Sequence, residues 1–207
     1  MNAVTMTPAK MTFSNKMTIL RGIASIAFIP MIIQDDQLIR VFALLIFTVA
    51  AFTDYYDGRL ARINKEKTNF GVIADPVADK ILTSVGLVSV SLLQPDIVPV
   101  WMTVIIIIRE VAITSWRFAM LAKGRVLAAD RLGKWKTGFQ MTVIPYALVF
   151  ASIFSGDIGR EWELAIRSTV YGDIIYGVGY SLAWITLILT LVSGMAYAKA
   201  EWQKQPA

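Results

Sequence analysis

Asp54-Tyr55-Tyr56-Asp57-Gly58-Arg59-Leu60-Ala61-Arg62 closes one apolar run, and Gly71-Val72-Ile73-Ala74-Asp75-Pro76-Val77-Ala78-Asp79-Lys80 opens the next, with a polar turn between them. Four carboxylates therefore sit in a chain that is otherwise mostly oily. Asp54 and Asp57 are spaced i, i+3, and Asp75 and Asp79 are spaced i, i+4. Each pair faces one way if its segment is helical. Acidic groups clustered among hydrophobic segments are expensive and demand a partner: a cation, an arginine or a proton. We read them as metal ligands.

The surrounding composition is that of a membrane protein. Of 207 residues, 56% are hydrophobic and 17% are charged. The mean hydropathy of +0.59 is too oily for an ordinary soluble domain. Cysteine is absent, which excludes a disulfide framework and a thiolate metal site. Histidine is absent too, which removes the usual zinc ligand and the usual neutral-pH base. Any metal must then be a hard, oxygen-liganded cation, Mg²⁺ or Mn²⁺. The net charge of +5 points to positive-inside loops and to anionic lipid or phosphate, not to nucleic acid.

Six apolar runs follow one another: Met17 to Ile33 (broken by Pro30), Leu38 to Tyr56, Phe70 to Leu93, Ile97 to Ala122, Leu132 to Phe154 and Ile174 to Ala198. Each has roughly 17–26 residues, enough to cross a bilayer as a helix. The expected fold is an all-α polytopic membrane protein with six transmembrane helices. Residues 1–16 form either a tail or a short interfacial helix, residues 17–199 the six-helix domain and residues 200–207 a tail. The first run contains Arg21 and is followed by no small-residue cleavage site, so no signal peptide is expected. Residues 155–173 read as a mixed-charge loop with at most an amphipathic turn around Trp162. The basic turns at Arg59–Lys67 and Lys123–Arg131, the N-terminal lysines, Lys199 and Lys204 fall on one side. The positive-inside rule makes that side, with both termini and the Asp54–Asp79 stretch, cytoplasmic.

Oxygen donors from two adjacent helices suit Mg²⁺, which prefers near-octahedral oxygen coordination, and bound cations relieve the repulsion among the carboxylates. Gly58 and Ala61 lie within a turn of Asp57, and such small residues let a ligand approach the backbone. Arg62 adds a fixed charge for phosphate. Together these features suit a diphosphate substrate. The duller alternative is a set of salt-bridged helix ends, with Arg59, Arg62 and Lys80 as partners.

The spacing Asp-x2-Asp-Gly-x2-Ala-Arg-x8-Gly-x3-Asp-x3-Asp resembles the signature of the CDP-alcohol phosphatidyltransferases. Asp54, Asp57, Gly58, Ala61, Arg62, Gly71, Asp75 and Asp79 fill every fixed position. The resemblance implies a six-helix membrane domain, usually a homodimer, whose active site opens to the cytoplasm. It implies that Asp54, Asp57, Asp75 and Asp79 hold two divalent cations and that Asp79 is the general base. Gly58, Ala61, Arg62 and Gly71 match positions around the CDP moiety, and Thr68 is a weaker candidate there.

Further residues narrow the resemblance: Asn15, Thr18 and Arg21 in the first run, Arg109, Glu110 and Arg117 in the fourth, and Leu132-Gly133-Lys134-Trp135-Lys136-Thr137 with Gln140 and Met141 in the fifth. They look like the bacterial phosphatidylglycerophosphate synthases, from about Asn15 to Met141. Residues 142–207 offer only hydrophobicity. Ser14 departs from the proline common before that asparagine, which touches only entry into the first helix. The implied substrates are CDP-diacylglycerol and glycerol-3-phosphate, at the bacterial inner membrane. Arg109 and Arg117, about 80° apart around one ideal helix and at depth, and Lys134 suit a dianionic acceptor. Lys136 is either a fourth such cation or an ordinary positive-inside anchor. Neighbours on a helix diverge, so Glu110 is expected to orient a basic residue of another span rather than to pair with Arg109. Two rivals remain. One is the same chemistry on phosphatidylglycerol, as in a cardiolipin synthase. The other is a divalent-cation transporter, although carboxylates clustered near one face suit a permeation path poorly. Gly172, Gly177 and Gly179 read as helix-packing positions, and Trp101, Trp162, Trp184 and Trp202 as interface anchors.

Overall fold

The computed structural model describes residues 13–64, 69–122 and 131–202, and the side chains of residues 17–53, 77–122 and 132–199. Among the described residues every apolar run is a helix: α1 (Phe13–Ile33), α2 (Gln37–Asn64), α3 (Asn69–Leu93), α4 (Val100–Ala122) and α5 (Arg131–Ile153). A short helix, α6 (Gly156–Arg167), precedes the last and longest, α7 (Val170–Trp202). Pro30 does not break the first run. It removes one backbone hydrogen bond near the end of α1, and the helix continues to Ile33. The Asp36 carboxylate accepts the N–H of Ile39 at 3.0 Å and so starts α2. Gln94-Pro95-Asp96 stops α3, as an X-Pro step predicts.

The expected loop at 155–173 is corrected by α6. Charges at Asp157, Arg160, Glu161, Glu163 and Arg167 interrupt its apolar pattern, but Ile158 and Trp162 are one turn apart, and both are exposed. Asp157 in the first turn and Arg167 in the last complement the helix dipole. Gly156, at φ 72°, makes the turn out of α5, and the two helices meet at 112°. Asp35 accepts the Gly156 N–H at 3.0 Å and also binds Arg160. The Gly156 hydrogen bond, reinforced by Arg160 and Arg40, holds the Asp35 carboxyl below its ordinary value. At the other end Arg167 joins Asp96 at 2.7 Å and Glu163 at 3.0 Å. Thus α6 is tied to both connections on its side of the bundle.

Helix α1 packs on α2 and α3, α5 on α2 and α7, and α4 on α7. Phe28, Phe47, Leu82, Met102, Ile106, Ile144 and Leu148 form part of a single buried core. Gly86 brings α3 close to its neighbours: a Cβ there would lie 2.7 Å from the Phe47 ring and 2.8 Å from Ile144. Gly179 does the same against Ile97 and Tyr146, and Gly172 fits against the backbone at the end of α6, whereas Gly177 faces open space. Trp101 and Trp184 meet edge to face, with ring centroids 5.6 Å apart.

Polarity is distributed inside out. Thr18, Arg21, Ser25, Glu110, Lys136, Gln140, Thr186, Thr190 and Ser193 are buried, while Leu20, Ile26, Phe42, Phe52, Ile108, Ile188 and Met195 are exposed. Such an oily exterior belongs in lipid. Among the described residues, Val170–Lys199 is long and apolar enough to cross a membrane alone, and the bent pair Leu132–Ile153 with Gly156–Arg167 raises the number to two. Met17–Ile33 and Gln37–Thr53 are shorter apolar helices. The protein is therefore all-α with a membrane-associated character, while six separate crossings are more than these helices establish by length and composition.

Candidate active site

The acidic stretch maps onto two packed helices. Asp54 and Asp57 are on the last turns of α2, and Asp75 and Asp79 are in the first half of α3. The side chains of Asp54, Asp57, Gly58, Ala61, Arg62, Gly71 and Asp75 lie outside the described residues, as does that of Asn15 on α1; Thr68 lies outside them altogether. Among the described residues no group of three or more acidic side chains could hold a metal ion; of the four aspartates only Asp79 is described there. Its Oδ2 lies 3.3 Å from Lys80 Nζ.

Lys80 leads into a buried ionic network that joins α3, α4 and α5. Its Nζ lies 2.8 Å from Glu110 Oε2. Glu110 Oε1 accepts from Lys136 Nζ and, at 3.2 Å, from Arg109 Nη1. Three cations thus share one carboxylate. Glu110 and Lys136 side chains are 5% and 4% exposed. At that depth a surplus of positive charge is expensive unless an anion joins it. The expectation that Glu110 serves a basic residue of another helix is met twice, by Lys80 and Lys136. The expectation that it would not pair with Arg109 is corrected: the long arginine side chain reaches back to its neighbour.

The arginines are oriented from α7. Arg109 Nη2 donates to Ser193 Oγ at 2.8 Å. Arg117 Nη2 donates to the Tyr197 hydroxyl at 2.7 Å, and the Arg117 guanidinium stands 5.3 Å over the Tyr197 ring. Arg117 is exposed rather than deep, because it lies in the last two turns of α4. Lys134 is also exposed and outside the network, while Lys136 lies inside it. Thr18 and Arg21 are buried and engaged on one face of α1, with Ser25 donating to the Arg21 carbonyl at 2.8 Å. Gln140, one turn beyond Lys136, is buried, and neither amide atom has a hydrogen-bond partner among the described residues.

Sequence reasoning gave Lys80 no role beyond a salt bridge and gave Ser193 and Tyr197 none. Their partnerships with Arg109 and Arg117 span 84 and 80 residues. One signal was present: Thr186, Thr190, Ser193 and Tyr197 recur every three or four residues and line one side of an otherwise apolar helix.

Comparison with known proteins agrees with this chemistry. The family model of the CDP-alcohol phosphatidyltransferases matches residues 11–195. The CDP-diacylglycerol–glycerol-3-phosphate 3-phosphatidyltransferase of Bacillus subtilis (strain 168) is 34% identical over 159 residues, covering 77% of this chain and 72% of its own. The protein of the same name from Rickettsia typhi is 36% identical over 183 residues, covering 86% and 92%. That from Cereibacter sphaeroides is 33% identical over 180 residues, covering 75% and 79%. The chain belongs to the CDP-alcohol phosphatidyltransferase family.

Proposed function

We propose that this protein transfers the phosphatidyl group of CDP-diacylglycerol to sn-glycerol-3-phosphate, releasing phosphatidylglycerophosphate and CMP. The observation that carries the acceptor assignment is the cation surplus around Glu110, where Lys80, Arg109 and Lys136 converge beside Asp79. An uncharged acceptor has no use for that surplus, and a phosphate dianion does. The names of the relatives support the same acceptor.

The donor chemistry fits a hard divalent cation. The chain offers neither histidine nor cysteine, and its four aspartates lie on two helices in contact. Asp54, Asp57, Asp75 and Asp79 would hold two ions, Mg²⁺ or Mn²⁺, which supply Lewis-acid polarisation of the phosphoryl oxygens. Gly58, Ala61, Arg62, Thr68 and Gly71 surround the CDP moiety. Arg109, Arg117 and Lys134 hold the acceptor phosphate, with Lys136 held in place by Glu110. Asn15, Thr18 and Arg21 complete the site from α1. The acceptor's 1-hydroxyl oxygen forms a bond to the phosphorus that carries diacylglycerol. The bond from that phosphorus to CMP breaks, and the hydroxyl proton passes to the Asp79 carboxylate.

The domain spans residues 17–199 and crosses the bacterial inner membrane six times, as a homodimer with both termini and the site cytoplasmic. The oily exterior of α1, α2, α4 and α7 supports the placement in lipid, and α6, turned 112° from α5, suits the opposite interface. The test is turnover by the purified protein given CDP-diacylglycerol, Mg²⁺ and glycerol-3-phosphate as the sole acceptor. CMP and phosphatidylglycerophosphate should form together. CMP formed only when phosphatidylglycerol replaces glycerol-3-phosphate would reject the acceptor.

A further inference from the structure

We propose that α7 positions the acceptor phosphate site, with Ser193 and Tyr197 aiming the guanidinium groups of Arg109 and Arg117; this rests on the acceptor assignment above. Arg109 and Arg117 are eight residues apart on α4, about 12 Å along an ideal helix, whereas Ser193 and Tyr197 are four apart, about 6 Å. Both guanidinium groups are thus held on one stretch of α7. Planar forks held from one helix suit a phosphate anion.

The chemistry of the two partners supports aiming rather than neutralisation. The Ser193 hydroxyl donates to the Thr190 carbonyl at 3.1 Å, which commits its hydrogen to its own helix and leaves its lone pairs for Arg109. Tyr197 offers Arg117 a hydroxyl oxygen and the face of its ring. Neither partner carries a negative charge, and among the described residues no carboxylate forms a salt bridge with Arg117. Arg109 already shares the Glu110 carboxylate with Lys80 and Lys136, and a further carboxylate in either place would orient an arginine but cancel more of the charge that an anion needs. Gly194 completes the arrangement. A Cβ there would lie 3.0 Å from Arg109 Nε and 3.6 Å from its Cγ, so glycine lets Arg109 lie flat along α7. Ser193 and Tyr197 are thus positioning residues that act through the two arginines.

The experiment measures KM for each substrate separately in the full-length enzyme, with Ser193→Ala and Tyr197→Phe as the variants. Wild-type turnover with glycerol-3-phosphate is measured first in the same assay. Its absence overturns the acceptor assignment and this inference with it. The expected result is a KM for glycerol-3-phosphate raised at least about fivefold in each variant, since a hydrogen bond to a charged group is at stake. KM for CDP-diacylglycerol and the thermal midpoint should stay at wild-type values, and Ser193→Thr should restore the acceptor KM. If wild-type turnover is present but the acceptor KM moves less than twofold in both variants, the inference falls alone. It falls equally if both KM values rise together with a lowered thermal midpoint, because that is the mark of a merely structural contact.

Discussion

Glu110→Gln removes one charge and almost no volume, and the structure fixes what it should cost. The carboxylate is shared by Lys80, Arg109 and Lys136. Lys80 keeps Asp79 and is 25% exposed, and Arg109 keeps Ser193. Lys136 has no second anion among the described residues and is 4% exposed, so it is the cation left stranded. Removing one partner of a buried ion pair costs about 3–5 kcal/mol, and the relief available to Lys80 and Arg109 places the expected loss near the lower end, about 3 kcal/mol. The assay is reversible unfolding in mixed micelles, followed by helix content. The decisive comparison is the double variant Glu110→Gln/Lys136→Gln, which strands no charge at Lys136. It should recover most of the lost stability. A single variant within about 0.5 kcal/mol of wild type, or a double variant less stable than the single, would refute the reasoning.

Asp79→Asn should lower turnover by about 10²–10⁴-fold, the usual worth of a general base, while insertion into membranes is unchanged; near-normal turnover in the purified variant would remove Asp79 from the mechanism. Chelation should likewise abolish transfer, and added Mg²⁺ or Mn²⁺ should restore it. Asp35 has a folded pKa below its ordinary 3.8, so its contribution is complete above that value and is lost as pH falls through the depressed one. Asp35→Asn should therefore speed hydrogen exchange across Gly156–Arg167 at neutral pH, with the difference from wild type shrinking as pH falls below 3.8; equal exchange at neutral pH would show that Asp35 does not tether α6. Gly86→Ala should cost about 1–3 kcal/mol by overpacking, since its Cβ would sit 2.7 Å from Phe47; a neutral result in the unfolding assay would mean that α2 and α3 can separate freely.

Most of the fold was legible because long apolar runs mark helices, and all six runs form helices. The mixed charges of α6 hid a helix in which the apolar residues Ile158 and Trp162 stand one turn apart and exposed. Its anchors, Asp35 and Asp96, lie in connections far away in sequence. In the site, charged residues were legible because intramembrane charge must be explained. Glu110 and Lys136 could be singled out for that reason, although depth could not be read: Arg117 is exposed and Lys136 is buried. Ser193 and Tyr197 went unnoticed because a hydroxyl in an apolar helix has an ordinary use, bonding its own backbone, as Ser181 does to Gly177 at 2.7 Å. Only the fold reveals which hydroxyl faces an arginine.

The central claim is that the cation cluster next to Asp79 selects a phosphorylated, water-soluble acceptor. Acceptor competition tests it most directly: purified enzyme, Mg²⁺ and labelled CDP-diacylglycerol, with glycerol-3-phosphate and phosphatidylglycerol present together and the lipid products resolved by mass. The account predicts phosphatidylglycerophosphate as the dominant product, falling when Arg109 is replaced by methionine. Cardiolipin as the dominant product, or unchanged product from Arg109→Met, would contradict it.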